Sequence, residues 1–237
     1  MKILNFLFSR SKQEQDKPIR DKLKTRKDFE RVLAEDLDIM ETTKARMDTA
    51  KNINLYMYRS LSYSYILILQ SKYSVDAKID ELRDIYIKSM HYFLQAFNKR
   101  NPIYADILNY VSLGVLLNIP DNNFRQLIDY VKQMDKQAKP SGWTPDLLLW
   151  FMLNSRMKEQ EKQKYAETLA YPRLYNGLYK AIQAPNAAAA KDALNKYLDR
   201  WYNLNSDAPW YNSHLKNNCY RGYWAWEVAA VAKIMHI

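Results

Sequence analysis

The most informative stretch of this chain is Tyr220-Arg-Gly-Tyr-Trp-Ala-Trp-Glu-Val-Ala-Ala-Val-Ala-Lys-Ile-Met235. It holds four aromatic residues, and between Tyr223 and Met235 its only charged residues are Glu227 and Lys233. At helical spacing, apolar side chains fall on two sides of the segment. A helix that is apolar on more than one side is buried, so we predict a central helix over about residues 218–235.

Glu227 is the residue of this segment that needs a chemical explanation. A buried acid must be paired or hydrogen-bonded, because burying an unpaired charge is costly. His214, Arg221 and the many tyrosine hydroxyl groups are candidate partners. Two roles stay open: a structural polar network that fixes the helix, which we favour, or a catalytic acid that works with His214 in a small enzyme.

Composition limits the fold class. The chain has 237 residues, 48% of them hydrophobic, which is enough for one large domain or two small ones. Only 4 glycines occur, which disfavours glycine-rich phosphate loops and hairpin-rich β folds. The single cysteine, Cys219, excludes an intramolecular disulfide and fits a reducing compartment. No stretch approaches the ~20 apolar residues of a membrane-spanning helix, so we expect a soluble, cytoplasmic protein.

Apolar residues recur at helical spacing along most of the chain, and strand-like alternation is rare. The fold class is therefore predicted to be all-α, with two helical subdomains packed into one compact body. Thr25 and Asp28 form a capping-box pattern, Asp76 is predicted to cap a helix, and Asn101-Pro102 is predicted to start one. The predicted helices cover about residues 28–51, 55–70, 77–97, 102–117, 123–139, 145–155, 159–170, 173–183, 187–201 and 218–235.

A domain boundary is predicted at Lys139-Pro-Ser-Gly-Trp-Thr-Pro145, which gathers two prolines and a glycine. We expect a flexible tail over residues 1–18, an N-terminal helical domain over 19–139 and a C-terminal helical domain over 140–237. The apolar run Met1 to Phe8 is interrupted by Asn5 and lacks a small-residue cleavage site, so we interpret it as part of the tail rather than as a signal peptide.

No motif of a known catalytic or metal site occurs. Zinc-binding His-Glu-x-x-His patterns, paired cysteines, Walker loops and nucleophile elbows are all absent from the sequence. His214 and Cys219 supply two ligand types without two others in view, and Cys219 is predicted to be an inert core thiol. We therefore expect no catalytic residue, no metal and no cofactor.

Charge is unevenly distributed along the first third of the chain. The formal net charge is +10, which favours anionic partners and motivates one alternative function, a basic helical protein that binds nucleic acid with strong salt dependence. A basic run from Lys17 to Lys27 is followed directly by acidic residues. The acidic residues are Glu35, Asp36, Asp38 and Glu41. They form either the solvated face of a long helix or a docking patch for a basic protein.

The aromatic series toward the end of the chain carries a family resemblance. Trp201-Tyr202, Trp210-Tyr211 and His214 precede Gly222-Tyr-Trp-x-x-Glu227. This series resembles the C-terminal domain of the polymorphic-toxin nuclease immunity family, called PoNi. Weaker likenesses to its N-terminal domain are Arg20-Asp-Lys-Leu23, Lys72-Tyr-Ser74 and Tyr110-Val-Ser-Leu-Gly-Val-Leu-Leu117, so the resemblance runs from about residue 19 to 236. It implies a shared architectural motif of His214, Gly222, Tyr223, Trp224, Trp226 and Glu227.

The resemblance implies an immunity protein of the bacterial cytoplasm that works without catalysis. It would bind a cognate toxin domain, a nuclease delivered by a contact-dependent or type VI secretion system, and block it by occlusion. Acids presented where DNA phosphates would sit speed encounter and add specificity, so Glu35, Asp36, Asp38 and Glu41 are the expected partner-binding residues. No membrane and no obligatory nucleic acid is implied, and a homodimer stays open.

Overall fold

The computed structural model describes residues 18–96, 103–136, 143–216 and 218–237. Over these residues the chain forms nine α-helices and two short 3-10 turns, with no strand. The all-α prediction is confirmed. The helices are α1 (Arg26–Thr49), α2 (Leu55–Ser74), α3 (Ile79–Ala96), α4 (Tyr104–Leu116), α5 (Asp121–Lys136), α6 (Leu147–Asn154), α7 (Pro172–Ile182), α8 (Ala187–Leu204) and α9 (Trp226–Met235).

The helices pack as successive neighbours around one core. α2 lies between α1 and α3, and α7 pairs with α8. α4 and α9 are packed against each other, and α9 also contacts α6, α7 and α8. The main core takes side chains from α2 to α9, whereas α1 packs on α2 through a smaller apolar cluster that includes Leu33, Met40 and Leu61.

Two predictions about helix starts have different outcomes. The Thr25 hydroxyl accepts from the backbone N–H of Asp28, and Asp28 accepts from the N–H of Thr25 at 3.0 Å, so the capping box exists as predicted. Asp76 is not a cap, because α3 begins only at Ile79. Asp76 instead takes a left-handed conformation with φ of 80° and forms an ion pair with Arg20 at 2.8 Å.

The predicted helix over residues 159–170 is wrong. Only Glu159–Glu161 forms one 3-10 turn, and the residues after it are irregular up to α7. The reason is that side chains outside the segment bind its backbone. Asn154 donates to the carbonyl of Gln163 at 2.7 Å and accepts from its N–H at 2.9 Å, and such contacts compete with helical hydrogen bonds.

The last helix is central, but it is shorter than predicted. Its residues Trp226, Val228, Ala230 and Val231 are buried, as expected for a helix inside the fold. It begins at Trp226 rather than near residue 218, since Gly222 has a φ of 108° that is not compatible with a right-handed helix.

Other sequence predictions fall partly outside the described residues. The predicted helix start at Asn101-Pro102 lies outside them, as do residues 139–142 of the predicted boundary and residues 1–17 of the predicted tail. The division into domains 19–139 and 140–237 stays a prediction. None of the helices in the described parts of the chain combines the length and the apolar character needed to span a bilayer.

Asp146 connects three parts of the core. It is 1% exposed and forms the N-cap of α6, where it accepts from the N–H of Leu149 at 2.8 Å. The same carboxylate accepts from the hydroxyl of Tyr104 on α4 at 2.8 Å and from the N–H of Ala170 at 2.7 Å. One buried acid therefore fixes α4, α6 and the irregular segment before α7.

We expect Asp146→Ala to lower the free energy of unfolding by about 3 kcal/mol or more, because it removes a helix cap and leaves the buried Tyr104 hydroxyl and the half-buried N–H of Ala170 unpaired. Asn186→Ala is the matched control, since Asn186 is an exposed N-cap with one bond to Ala189; its expected loss is about 1 kcal/mol. Urea unfolding followed by circular dichroism measures both. Equal losses would contradict the connecting role of Asp146.

Candidate functional site

The residues before α9 join the two ends of the chain through a buried ion pair. Arg221 donates from Nε and Nη2 to the two carboxylate oxygens of Asp36 on α1, at 2.9 and 2.6 Å. The side chain of Asp36 is 2% exposed and that of Arg221 is 10% exposed. Burial raises the pKa of the Asp36 carboxyl, and the hydrogen bonds and charge of Arg221 oppose that shift. This two-point geometry is the strong form of an arginine–carboxylate contact.

A second contact beside this ion pair fixes the start of the described chain. The Tyr220 hydroxyl donates to Asp21 at 2.6 Å, and burial raises the pKa of the Tyr220 hydroxyl. The ring of Tyr220 packs on Phe29 of α1, with ring centroids 5.9 Å apart. Tyr220 and Arg221 thus contact the same helix from adjacent positions, and together they hold α1 against the segment that leads into α9.

Ser74 at the end of α2 forms hydrogen bonds with the next part of the motif. Its hydroxyl donates to the carbonyl of Arg221 at 2.8 Å and accepts from the indole N–H of Trp224 at 3.0 Å. Gly222 lies between these bonds, and a Cβ there would stand 2.1 Å from Trp224 Nε1 and 2.5 Å from Ser74 Oγ. Both the positive φ and this close approach require glycine at position 222.

Aromatic side chains surround Tyr223 and His214. The Tyr223 hydroxyl accepts from the backbone N–H of His214 at 3.1 Å and lies 2.8 Å from His214 Nδ1. Its ring packs between Tyr202 and Trp210, with centroids 5.1 and 5.4 Å away. Aromatic contacts of this geometry add to the stability that area burial provides.

The partner of Glu227 is Trp201 on α8, which donates its indole N–H to Glu227 Oε1 at 2.6 Å. Burial raises the pKa of the Glu227 carboxyl, and the hydrogen bond from Trp201 opposes the shift. The candidate partners named from the sequence are elsewhere: His214 binds Tyr223 and Arg221 binds Asp36. The acid–base pair required by the enzyme hypothesis is therefore not formed, whereas a half-buried polar contact between Glu227 and Trp201 is present.

The predicted motif residues converge on one interface. Trp226 and Trp224 both lie edge-on to Tyr73 of α2, with centroids 4.9 and 4.7 Å away. Gly222 lies against Ser74 of α2, and Glu227 accepts from Trp201 of α8. The motif therefore contacts both α2 and α8. What sequence reasoning missed is the pairing of Arg221 with Asp36, for which the sequence carries no signal except two opposite charges far apart.

The predicted acidic patch is divided by the structure. Glu35, Asp38 and Glu41 are exposed on the outer face of α1. Asp36 points inward to Arg221, so it is not available to a partner, and including it in a surface patch was wrong. A helix places successive residues about 100° apart, which is why Asp36 leaves the face that its neighbours share.

No metal centre is evident in the described residues. Over these residues no group of three or more His, Cys, Asp or Glu side chains is arranged to hold a metal ion. Cys219 is exposed, and its thiol lies 3.9 Å from the carbonyl of Ser213. The prediction of a core thiol at this position was wrong, because the segment before Tyr220 runs along the surface.

Comparison with known proteins gives two family matches. The family model described as "PoNe immunity protein (PoNi), N-terminal" matches residues 11–129, and the one described as "PoNe immunity proteins (PoNi), C-terminal" matches residues 144–237. The crystal structure of protein PA2201 from Pseudomonas aeruginosa is similar with a TM-score of 0.67, over 92% of this chain and 83% of that chain. At 18% identity this likeness shows the fold alone. No curated protein matches the chain.

We expect Asp36→Leu and Arg221→Met each to destabilise the fold by about 3–5 kcal/mol, because each leaves one buried charge without its partner. The double variant should lose clearly less than the sum of the two single losses. Urea unfolding of the four proteins gives the coupling free energy. Additive losses would show that the ion pair does not hold α1 in place.

We expect Glu227→Gln to be as stable as the wild type at pH 4 and more stable at pH 7. The native pKa of Glu227 is raised, so the native state binds a proton more tightly than the unfolded state. The stability of the wild type therefore falls as pH rises from the pKa of the unfolded state to the pKa of the native state. Gln keeps an acceptor for Trp201 and cannot ionise. Thermal unfolding between pH 4 and 7 measures the difference, and a difference that shrinks toward pH 7 would contradict the assignment.

Proposed function

This chain belongs to the family of PoNe immunity proteins, and we propose that it binds a cognate nuclease toxin and neutralises it by occlusion in the cytoplasm. The observation that carries the proposal is that both family models match, one on each half of the chain. The toxin would be an antibacterial effector, delivered by a contact-dependent or type VI secretion system. In this proposal the protein itself has no catalytic activity.

The contacts of the motif support a scaffold rather than a catalyst. His214 and Glu227 are the residues that the sequence offered for catalysis, and each is engaged within the chain, as is Arg221. Such preorganised contacts hold the helices in fixed positions. A rigid surface loses little conformational freedom when it binds, which favours tight association.

The outer face of α1 is the proposed toxin-binding surface. Asp36 is not part of it, because this residue is buried against Arg221. Glu35 and Glu41 have side chains 47% and 56% exposed, and they form surface ion pairs with Arg31 and Lys44 respectively. Asp38 lies between them and is exposed. Exposed ion pairs of this kind contribute little, so these acids are free to exchange partners with the basic cleft of a nuclease.

A binding surface on one exposed helix also fits the physics of encounter. Nuclease clefts are basic because they bind phosphates, and acids that face such a cleft accelerate association and exclude wrong partners. Tight binding would need apolar contacts as well, since hot spots are enriched in aromatic residues and charged rims mainly set the rate. Ile39 on α1 is 50% exposed and stands beside these acids.

The net charge of +10 supports nucleic acid as an alternative partner. That function predicts binding to DNA or RNA whose affinity falls steeply with salt. A titration with duplex DNA at low salt separates the two functions, because a protein that only blocks a toxin should show a flat response.

We expect Asp38→Lys with Glu41→Lys to weaken toxin binding at least tenfold, which is ~1.4 kcal/mol, because attraction to a basic cleft becomes repulsion. The measurement is calorimetry with the nuclease encoded next to this protein's gene. Asp192→Lys with Asp199→Lys on the exposed side of α8 is the matched control, with the same change of charge and unchanged affinity expected.

Three outcomes of this experiment decide between the claims. Equal weakening by both double variants would mean that net charge acts rather than the α1 face. Unchanged affinity in both would exclude that face while keeping the immunity function. Absence of binding by the wild type, together with undiminished nuclease activity in its presence, would overturn the proposed function itself.

A further inference from the structure

An open apolar groove lies between α8 and α9. Its volume is about 440 Å³, within the roughly 300–1,000 Å³ typical of ligand-binding clefts. α8 contributes Leu194, Leu198 and Trp201, and α9 contributes Val228 and Ala229. Of the described residues that line this groove, Lys191 alone has a charged side chain.

The groove has the form of a surface that receives apolar side chains. Leu198 on its wall is 45% exposed. Ala229 on its floor is exposed and too short to fill the space above it. The aromatic rings of Tyr223 and Trp224 line one end. Covering this surface with apolar side chains of another segment would be favourable, because it removes apolar area from water.

The sequence contains one segment whose chemistry matches. Six of the residues 1–8 are apolar: Met1, Ile3, Leu4, Phe6, Leu7 and Phe8. The next residues, 9–17, are all polar or charged, so they form a hydrophilic connection between the apolar octad and Pro18.

The chain enters the described structure close to the groove. Ile19 packs in the apolar cluster of Phe29, Val32 and Tyr220 together with Tyr223. The carbonyl of Ser74 accepts from the backbone N–H of Arg20 at 3.0 Å, and the Ser74 hydroxyl accepts from Trp224, which lines the groove. The nine connecting residues 9–17 span at most roughly 30 Å when extended. This reach exceeds the ~15 Å length of a ten-residue helix such as α9, so the connection is long enough for the octad to reach the groove beside α9.

We propose that residues 1–8 of this chain bind in the groove between α8 and α9 of the same molecule. Binding removes the apolar surfaces of both the octad and the groove from water. The short connection gives the octad a high effective concentration at the groove, which favours the same molecule over a second copy. This inference does not rest on the toxin-binding function.

Photo-cross-linking of the full chain tests the proposal. Phe6 is replaced by p-benzoylphenylalanine, the dilute protein is irradiated, and cross-linked peptides of the monomer band are mapped by mass spectrometry. We expect cross-links concentrated on residues 194–201 and 225–237. Ala229→Arg, which places a long charged side chain on the groove floor, should reduce them at least fivefold. Ala45→Arg, an exposed alanine on α1, should leave them unchanged.

Each contrary outcome has a defined meaning. Cross-links to other surfaces, or cross-links to the groove that Ala229→Arg leaves unchanged, would overturn the proposal. A dominant dimer band would make a second copy the occupant. Capture of the full chain by phosphatidylglycerol vesicles that is lost with Phe6→Asp would assign the octad to a membrane. If Ala229→Arg alters the circular dichroism spectrum, Leu198→Lys on the opposite wall takes its place.

Discussion

The ion pair of Arg221 with Asp36 is the contact on which the arrangement of the two ends of the chain depends. It joins residues 185 positions apart with two hydrogen bonds of 2.9 and 2.6 Å. Because both groups are removed from water, each one is costly without the other. The pair therefore specifies where α1 lies relative to the segment that leads into α9, and Tyr220, Gly222 and Trp224 reinforce the same position.

The motif works as a set of neighbouring contacts to different helices. Arg221 reaches α1, Trp224 reaches the end of α2, and Glu227 reaches Trp201 on α8. Each contact satisfies a polar group that burial would otherwise penalise. An arrangement in which the seven consecutive positions 221–227 serve three helices leaves little freedom for substitution there.

Sequence reasoning could recover most of the helices and the central place of the last one, because apolar spacing reports directly on the buried face of a helix. It failed where side chains from a distance decide the backbone, as Asn154 does at Gln163. It also failed at Asp36. The acidic residues around it are alike in composition, and only the rotation of α1 against a partner far along the chain shows which one is internal.

The distance in sequence between Asp36 and Arg221 has a consequence for biosynthesis. At a translation rate of roughly 5–20 residues per second, roughly 10–40 s pass between the synthesis of the aspartate and the arrival of its arginine. During that interval the Asp36 carboxylate lacks the partner that offsets its burial, whereas the contact of α1 with α2 through Leu33, Met40 and Leu61 needs only residues already made. The Asp36–Arg221 contact that fixes α1 against the segment before α9 therefore forms only after the C-terminal part of the chain has been made.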